Sequence, residues 1–240
     1  MKSIDPHQPL KEPVDYLAIV AHPDDTEYGI AGSVARWVQE GKSVAYVVCT
    51  SGEKGTSDRS IAPEQLKQIR EKEQLAAAQL LRVRSVQFLR YADQSIEDTP
   101  EMRKHIVKII RTYRPHTVLT TDPYRRYIWH RDHRVIGQVV LDALFPFARD
   151  HAAYPDLLDQ GFEPHKVREV LFFGAEDLNY FIDVSDTFDT KLAALKRHAS
   201  QMAELDMDQL YKRVRKRVTR LAEQSGYTMA EGFHREMLPG

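Results

Sequence analysis

Four short apolar runs, each followed by a helix-like stretch, limit the folds open to this chain more than any other feature. The runs are "DYLAIVA" (15–21), "SVAYVVCT" (43–50), "SVQFLRY" (85–91) and "HTVLTTD" (116–122). The first helical stretch is "GIAGSVARWVQEGK" (29–42), closed by Gly41, and Pro63 opens a second that reaches about Leu81. Residues 100–114 gather Ile106, Val107, Ile109 and Ile110 on one side, and a fourth helix is expected from about Asp132 to Ala148. Strands joined by helices run parallel through right-handed crossovers. The expected fold is therefore α/β: a three-layer α/β/α sandwich on a mainly parallel, Rossmann-like sheet.

Beyond the long loop or insertion at 145–166, "VREVLFFGA" (167–175) and "YFIDV" (180–184) read as two more strands. Residues 186–205 and 207–224 read as helices. The chain shows no internal repeat and no low-complexity linker, so a single domain over 1–240 is expected. It would carry an extended lead-in over 1–13 and a helical C-terminal extension from about 186 to 240.

Composition excludes some classes of function. A formal net charge of −1 over 240 residues supplies no global field for nucleic acid or anionic membrane. No apolar stretch approaches the ~20 residues that span a bilayer. The N-terminus is polar and proline-containing, without the apolar region of a secretion signal. Cys49 is the only cysteine and sits in a strand-like run, where it is expected as a small buried hydrophobe. These features lead to a cytoplasmic expectation. The basic segment "YKRVRKRVTR" (211–220) places Leu210, Val214, Val218 and Leu221 at helical spacing, which leaves the bases on a solvated face. "GIAGS" lacks the glycine spacing of a dinucleotide site, which weakens the reading as a Rossmann-type nucleotide enzyme.

The chemistry collects where the strands end. In open parallel sheets the active site lies beyond the carboxyl ends of the strands. Here those ends carry His22–Asp25, Ser51–Thr56, Tyr91–Asp93 and Asp122–His133. The segment "HPDDTE" (22–27) puts one histidine and three carboxylates in six positions, a crowding that costs free energy unless a cation or proton compensates. Zinc binds through histidine nitrogen and carboxylate oxygen, and a catalytic zinc has three protein ligands and one open position. His22 and Asp25 can reach one ion across a strand-to-helix turn. A third ligand can come from "HRDH" (130–133), where His130 and His133 are also three apart.

"AHPDDTE" with "HRDH" resembles the LmbE-like, or PIG-L, family of zinc-dependent N-acetylglucosaminyl de-N-acetylases. Smaller matches extend over most of the chain: "TSGEKGT" (50–56), "IREKE" (69–73), "RYADQSI" (90–96) and "RHASQM" (197–202). The resemblance implies removal of an N-acetyl group from an amino sugar or its conjugate by a metal-activated water. It implies His22, Asp25 and His133 as ligands of Zn2+ (a site of this type accepts other divalent ions) and Asp24 as general base. His130 would be acid or oxyanion stabiliser, and Asp132 would orient a histidine. Arg70 and Asp93 match positions that hold sugar hydroxyls, and Glu53 and Lys54 sit in a loop that could line the pocket. Glu27 would either bond a ligand or cap the following helix.

Two positions depart from the family pattern. Arg131 replaces a proline, which removes no ligand. Ile128 stands where some members have a tyrosine that aids the oxyanion, although Tyr124 and Tyr127 are near. The expected partner is a small amino-sugar molecule. A homo-oligomer is compatible with the resemblance, because family members include hexamers. The alternatives are an amidase acting on a sugar–thiol conjugate and a non-catalytic metal- or sugar-binding protein of the same fold. The second would have lost Asp24 or a ligand, and all are present here.

Overall fold

The strand β1 (Tyr16–Val20) shows why this sheet is a middle layer. Leu17 and Ile19 pack into one apolar cluster while Ala18 and Val20 pack into another on the opposite face. The strand β2 (Val44–Thr50) divides its side chains in the same way, and all seven of its residues are buried. Buried Cys49 faces the cluster that holds Leu17 and Ile19. A strand with two apolar faces needs helices above and below it. In this computed structural model, which describes residues 10, 12–202 and 206–240, that is the arrangement found. The expected lead-in over 1–13 lies mostly outside the described residues.

The first half alternates without exception: α1 (Asp25–Gln39), β2, α2 (Pro63–Leu80), β3 (Ser85–Tyr91), α3 (Pro100–Tyr113), β4 (Thr117–Thr121) and α4 (Arg131–Leu144). The short α5 (Pro155–Asp159) interrupts the long 145–166 connection before β5 (Glu169–Phe173) and β6 (Tyr180–Asp183). Then come α6 (Phe188–Leu195), α7 (Ala199–Met202), α8 (Met207–Ala222) and β7 (Ala230–Met237). The sheet has seven strands in the order β3-β2-β1-β4-β5-β7-β6. The first five run parallel, whereas β7 pairs antiparallel with both β5 and β6. This is the expected α/β sandwich on a mainly parallel sheet.

The strand order fixes where a site can form. From β1 the chain builds outward through β2 and β3, then returns to place β4 on the other side of β1. Side chains beyond the carboxyl ends of β1 and β4 therefore face one crevice, the switch point where α/β proteins place ligands. The "HPDD" and "HRDH" segments follow these two strands.

Three boundaries differ from expectation. The helix α1 starts at Asp25 rather than 29, so Asp25 and Glu27 lie in its first turn. The region 186–205 is broken between α6 and α7, where His198 turns inward and is fully buried; residues 203–205 lie outside the described part. The last part of the supposed helical extension is the strand β7. Its alternation was hidden because Glu231 is buried, held by a salt bridge to Lys191 at 2.6 Å, and because its second half is polar. Among the described residues no helix is long and apolar enough to cross a membrane.

Candidate metal centre

Both expected motifs meet at the crevice. His22, just past β1, points Nδ1 at Nε2 of His133, on the first turn of α4, across 3.1 Å. Asp25, the first residue of α1, places Oδ1 2.9 Å from Nε2 of His133 and Oδ2 3.7 Å from Nδ1 of His22. Oδ2 of Asp25 also accepts the His22 backbone N–H at 2.8 Å, which fixes the carboxylate in the turn. Ligand atoms ~2.0–2.1 Å from one tetrahedral zinc stand about 3.3–3.4 Å apart. These three side chains bring one ligand atom each within 4.8 Å of one another, so the donor set is compatible with a single ion.

The surroundings also call for positive charge. Nε2 of His22 is 3.1 Å from Oδ1 of Asp93 and 3.5 Å from Oδ2 of Asp132. Burial opposes a charged imidazole at His22, yet its contacts with Asp132 and Asp93 and the charge of Asp25 raise its pKa to about 10. Burial likewise opposes charge on Asp25, but the two histidines hold its pKa well below the ordinary carboxylate value. A divalent ion can meet this demand for a cation. A histidine that ligates through one nitrogen and donates its other N–H to a carboxylate is held in one tautomer and one orientation. His22, between His133 and Asp93, has that arrangement.

Asp24 is held next to the ligands in a strained conformation. Its φ of 89° lies in the left-handed region, which a non-glycine residue enters at a cost of about 1–3 kcal/mol. Its N–H donates to Oε1 of Gln74 at 2.9 Å, and Nη2 of Arg70 stands 3.4 Å from its Oδ1. Among the described residues no hydrogen bond engages Oδ2. Burial pushes the carboxyl up to about 6, against the pull of Arg70 and with the push of Asp25.

Other expected site residues have different neighbours from those anticipated. Arg70 is 4% exposed and donates to the carbonyls of Gly52 at 2.9 Å and Pro23 at 2.7 Å, so its fork is engaged before any sugar arrives. Gly52, at φ +62°, leaves the space this guanidinium fills, since a Cβ there would lie 2.2 Å from Nη1. Asp93 is equally committed: Oδ1 to His22, and Oδ2 to the Lys54 N–H at 3.0 Å. Burial would raise its pKa, but His22 and the Lys54 N–H hold it at about 2. Glu53 accepts the Asp93 N–H at 2.8 Å and Lys54 Nζ donates to the Asp93 carbonyl at 2.7 Å, so this loop braces Asp93. In this geometry Arg70 and Asp93 hold Asp24 and His22.

Asp132 is fully buried and accepts the Gln94 N–H at 2.7 Å with the same oxygen that faces His22. His130 is exposed, its ring 4.6 Å from that of His22 in an edge arrangement, and its Nδ1 accepts the Asp132 N–H at 3.2 Å. Burial, and then the neighbouring His22 and His133, lower its pKa. With Nδ1 accepting, a neutral His130 carries its proton on Nε2. Glu27 neither bonds a candidate ligand nor caps α1. It is fully buried, accepting from Gln74 at 3.1 and 3.2 Å and from Thr26 at 2.9 Å, with Nε2 of His198 at 3.1 Å.

Sequence reasoning missed Gln74 and the role of His198. Gln74 lies four residues after Arg70 and so on the same face of α2, a spacing that could have revealed it. His198 lies in the matched segment "RHASQM", but nothing in that segment indicates Glu27 as its partner. Trp129, also missed, sets its ring edge-on to His133 at 4.7 Å and donates Nε1–H to the Asp122 carbonyl at 2.9 Å.

Comparison with known proteins agrees with this geometry. The chain is similar to the diacetylchitobiose deacetylase of Thermococcus kodakarensis, 32% identical over 235 residues, covering 98% of this chain and 86% of that one. It is 30% identical over 199 residues to the probable N-acetyl-alpha-D-glucosaminyl L-malate deacetylase 2 of Bacillus anthracis, with 81% and 84% of the two chains covered. Its structure resembles that of the N,N'-diacetylchitobiose deacetylase from Pyrococcus horikoshii complexed with its inhibitor MPG. The TM-score is 0.89 and the identity 30%, over 97% of this chain and 87% of that one. The family model for PIG-L, GlcNAc-PI de-N-acetylase, matches residues 17–144, which run from β1 through α4 and include both candidate ligand segments, and the chain belongs to that family.

Proposed function

We propose that this protein removes the N-acetyl group from an N-acetylglucosamine-type sugar or a conjugate of one, with zinc at His22, Asp25 and His133. The observation that carries the reading is the 3.1 Å approach of His22 Nδ1 to His133 Nε2, which joins two segments 111 positions apart with Asp25 between them. Bound there, zinc supplies a Lewis acid that polarises the amide carbonyl and acidifies water.

The protein's own groups divide the proton work. Asp24 keeps Oδ1 against Arg70 and takes the proton of the attacking water on Oδ2. Gln74 holds the Asp24 N–H, and with it the left-handed backbone that aims this carboxylate at the crevice. His130 offers its Nε2–H as a hydrogen bond to the oxygen that becomes anionic, and the proton taken up by Asp24 passes on to the departing amine. Asp93 and Asp132 fix the tautomer and tilt of His22. The relatives act on N-acetylated sugars with different second halves, which supports the acetamido sugar as the common element. The partner is this small molecule, and a cytoplasmic setting remains our reading of the lone buried Cys49.

The test is Asp24→Asn, assayed for acetate release from diacetylchitobiose together with metal analysis. Zinc should stay at wild-type stoichiometry while kcat falls by ~10²-fold or more. Near-wild-type kcat in that variant would remove Asp24 as the base. Cleavage of a sugar–thiol amide without acetate release would favour the amidase reading instead.

A further inference from the structure

The basic segment in α8 carries exposed arginines. Arg213, Arg217 and Arg220 lie four and then three residues apart, so they form one stripe along the helix. Like charges at this spacing oppose the helix they sit on. Among the described residues none of the three makes an ion pair or hydrogen bond with an acid. Arg217 and Arg220 line a cleft together with Arg125, from the loop after β4, whose Nη1 donates to the Gly174 carbonyl at 3.4 Å. Three arginines from two elements thus line one space. Two carboxylates also border it. Glu176 is already paired with Arg126 at 3.2 Å, and Glu223 lies on the exposed end of α8.

This cleft connects to the candidate metal centre. The Arg125 guanidinium sits 4.4 Å over the Trp129 ring, and that ring meets His133 edge-on at 4.7 Å. Gly174, at φ +74°, makes room for the stack, because a Cβ there would lie 3.0 Å from the indole. Trp129 and Gly174 thus link Arg125 to the candidate metal centre. We propose that the cleft formed by Arg125, Arg217 and Arg220 is a subsite for an anionic group, a phosphate or carboxylate, carried by the sugar substrate. This rests on the deacetylase reading above and narrows its substrate to a negatively charged conjugate. Planar forks of this kind suit oxyanions through paired, charge-assisted hydrogen bonds.

The experiment compares neutral sugars (methyl 2-acetamido-2-deoxyglucoside and diacetylchitobiose) with N-acetylglucosamine 1-phosphate and 6-phosphate at constant ionic strength. Wild type and the double variant Arg217→Gln/Arg220→Gln are measured side by side, and circular dichroism confirms folding. At least one phosphorylated sugar should exceed the neutral ones at least tenfold in kcat/KM, mainly through KM, and the double variant should reduce that ratio at least tenfold. Calorimetry on zinc-loaded Asp24→Asn should show the same preference in binding, and the two arginine changes should remove it. Equal kcat/KM for neutral and charged sugars overturns the subsite and leaves the deacetylase reading intact, as does a preference that survives the double variant. Faster turnover of neutral sugar on adding inorganic phosphate also overturns it, because the cleft would then serve a free anion. If no sugar loses acetate, the deacetylase reading falls, and the calorimetric comparison still decides whether the cleft binds the anion.

Discussion

The helix α1 carries two buried charge clusters that differ in how completely they are neutralised. At mid-helix, Glu231 accepts the Gly32 N–H at 3.0 Å, the Ser33 N–H at 2.7 Å, the Ser33 hydroxyl at 2.6 Å and Lys191 at 2.6 Å. Lys191, 1% exposed, gives its other protons to the Glu27 and Tyr28 carbonyls, both at 2.9 Å. Burial lowers the Lys191 pKa, with Glu231 pulling the other way. Every strong donor and acceptor is used, and the cluster contains its own cation. At the start of the helix, Asp25, Asp93 and Asp132 surround two histidines. Among the described residues their ion pairs are with those histidines, apart from a 3.9 Å approach of Arg131 to Asp132. A satisfied cluster of buried charge joins β7 and α6 to α1. A cluster short of positive charge has the donor set of a candidate ion site. On the proposed reading, the same residue types serve structure in one place and chemistry in the other.

The sharpest way to break this contrast is His133→Ala. If the acidic end of α1 is an ion site, removing one of three ligands should strip zinc, as read by elemental analysis, and reduce acetate release to background. Full zinc occupancy in the variant would end the assignment. The fold should tolerate the change, because His133 is at the crevice and 16% exposed in its side chain.

The matched experiment at mid-helix should give the opposite pattern. Lys191→Met leaves Glu231 buried without its cation, a type of change that costs about 3–5 kcal/mol. Urea unfolding of the apo protein should show a loss of that order, and adding Glu231→Gln to the same chain should recover part of it. Zinc stoichiometry at saturating metal should be unchanged in both. A loss of metal with no loss of stability would mean that the two clusters are a single functional unit.

The two clusters also differ in how far the sequence revealed them. The ligand segments were legible because short-range rules apply to them: an apolar run, a turn, then charges, occurring twice, with strand order bringing the two turns together. The mid-helix cluster depends on Lys191, Glu231 and Ser33, from three separate segments, and only the folded chain joins them. That is also why β7 was missed, since a buried glutamate breaks the alternation that identifies a strand. Arg70 and Asp93 were read from the sequence as holding sugar hydroxyls, and the protein groups that also engage them were not foreseen. Besides Asp24 and His22, their partners are backbone groups of Gly52, Pro23 and Lys54, and backbone partners leave no trace in residue identity. Gln74 went unnoticed because an amide in a charged helix carries no signal until Asp24 is seen in a left-handed conformation beside it.

The smallest expected effect lies between the clusters, at His198, which sets Nε2 3.1 Å from Glu27. Glu27 in turn meets Gln74, and its own carbonyl accepts from Lys191, so this pair joins the two regions. Burial opposes a charged His198, but the hydrogen bond and charge of Glu27 outweigh it and raise its pKa above the ordinary histidine value of 6.5. A group whose pKa is raised on folding binds its proton more tightly in the folded state. Its contribution is fully present below the unfolded value of ~6.5 and is lost as pH rises through the folded one. His198→Gln retains a donor but cannot take up the charge. Its stability deficit, about 1–3 kcal/mol for a hydrogen bond to a charged group, should therefore be greatest near pH 6 and should shrink towards pH 9 in urea unfolding of the apo protein. Zinc content should not change at either pH. A deficit that is flat with pH would show that the imidazole is neutral throughout and that the Glu27 pair is an ordinary hydrogen bond. A deficit that grows towards pH 9 would reverse the sign of the linkage and remove the ion pair from this part of the molecule.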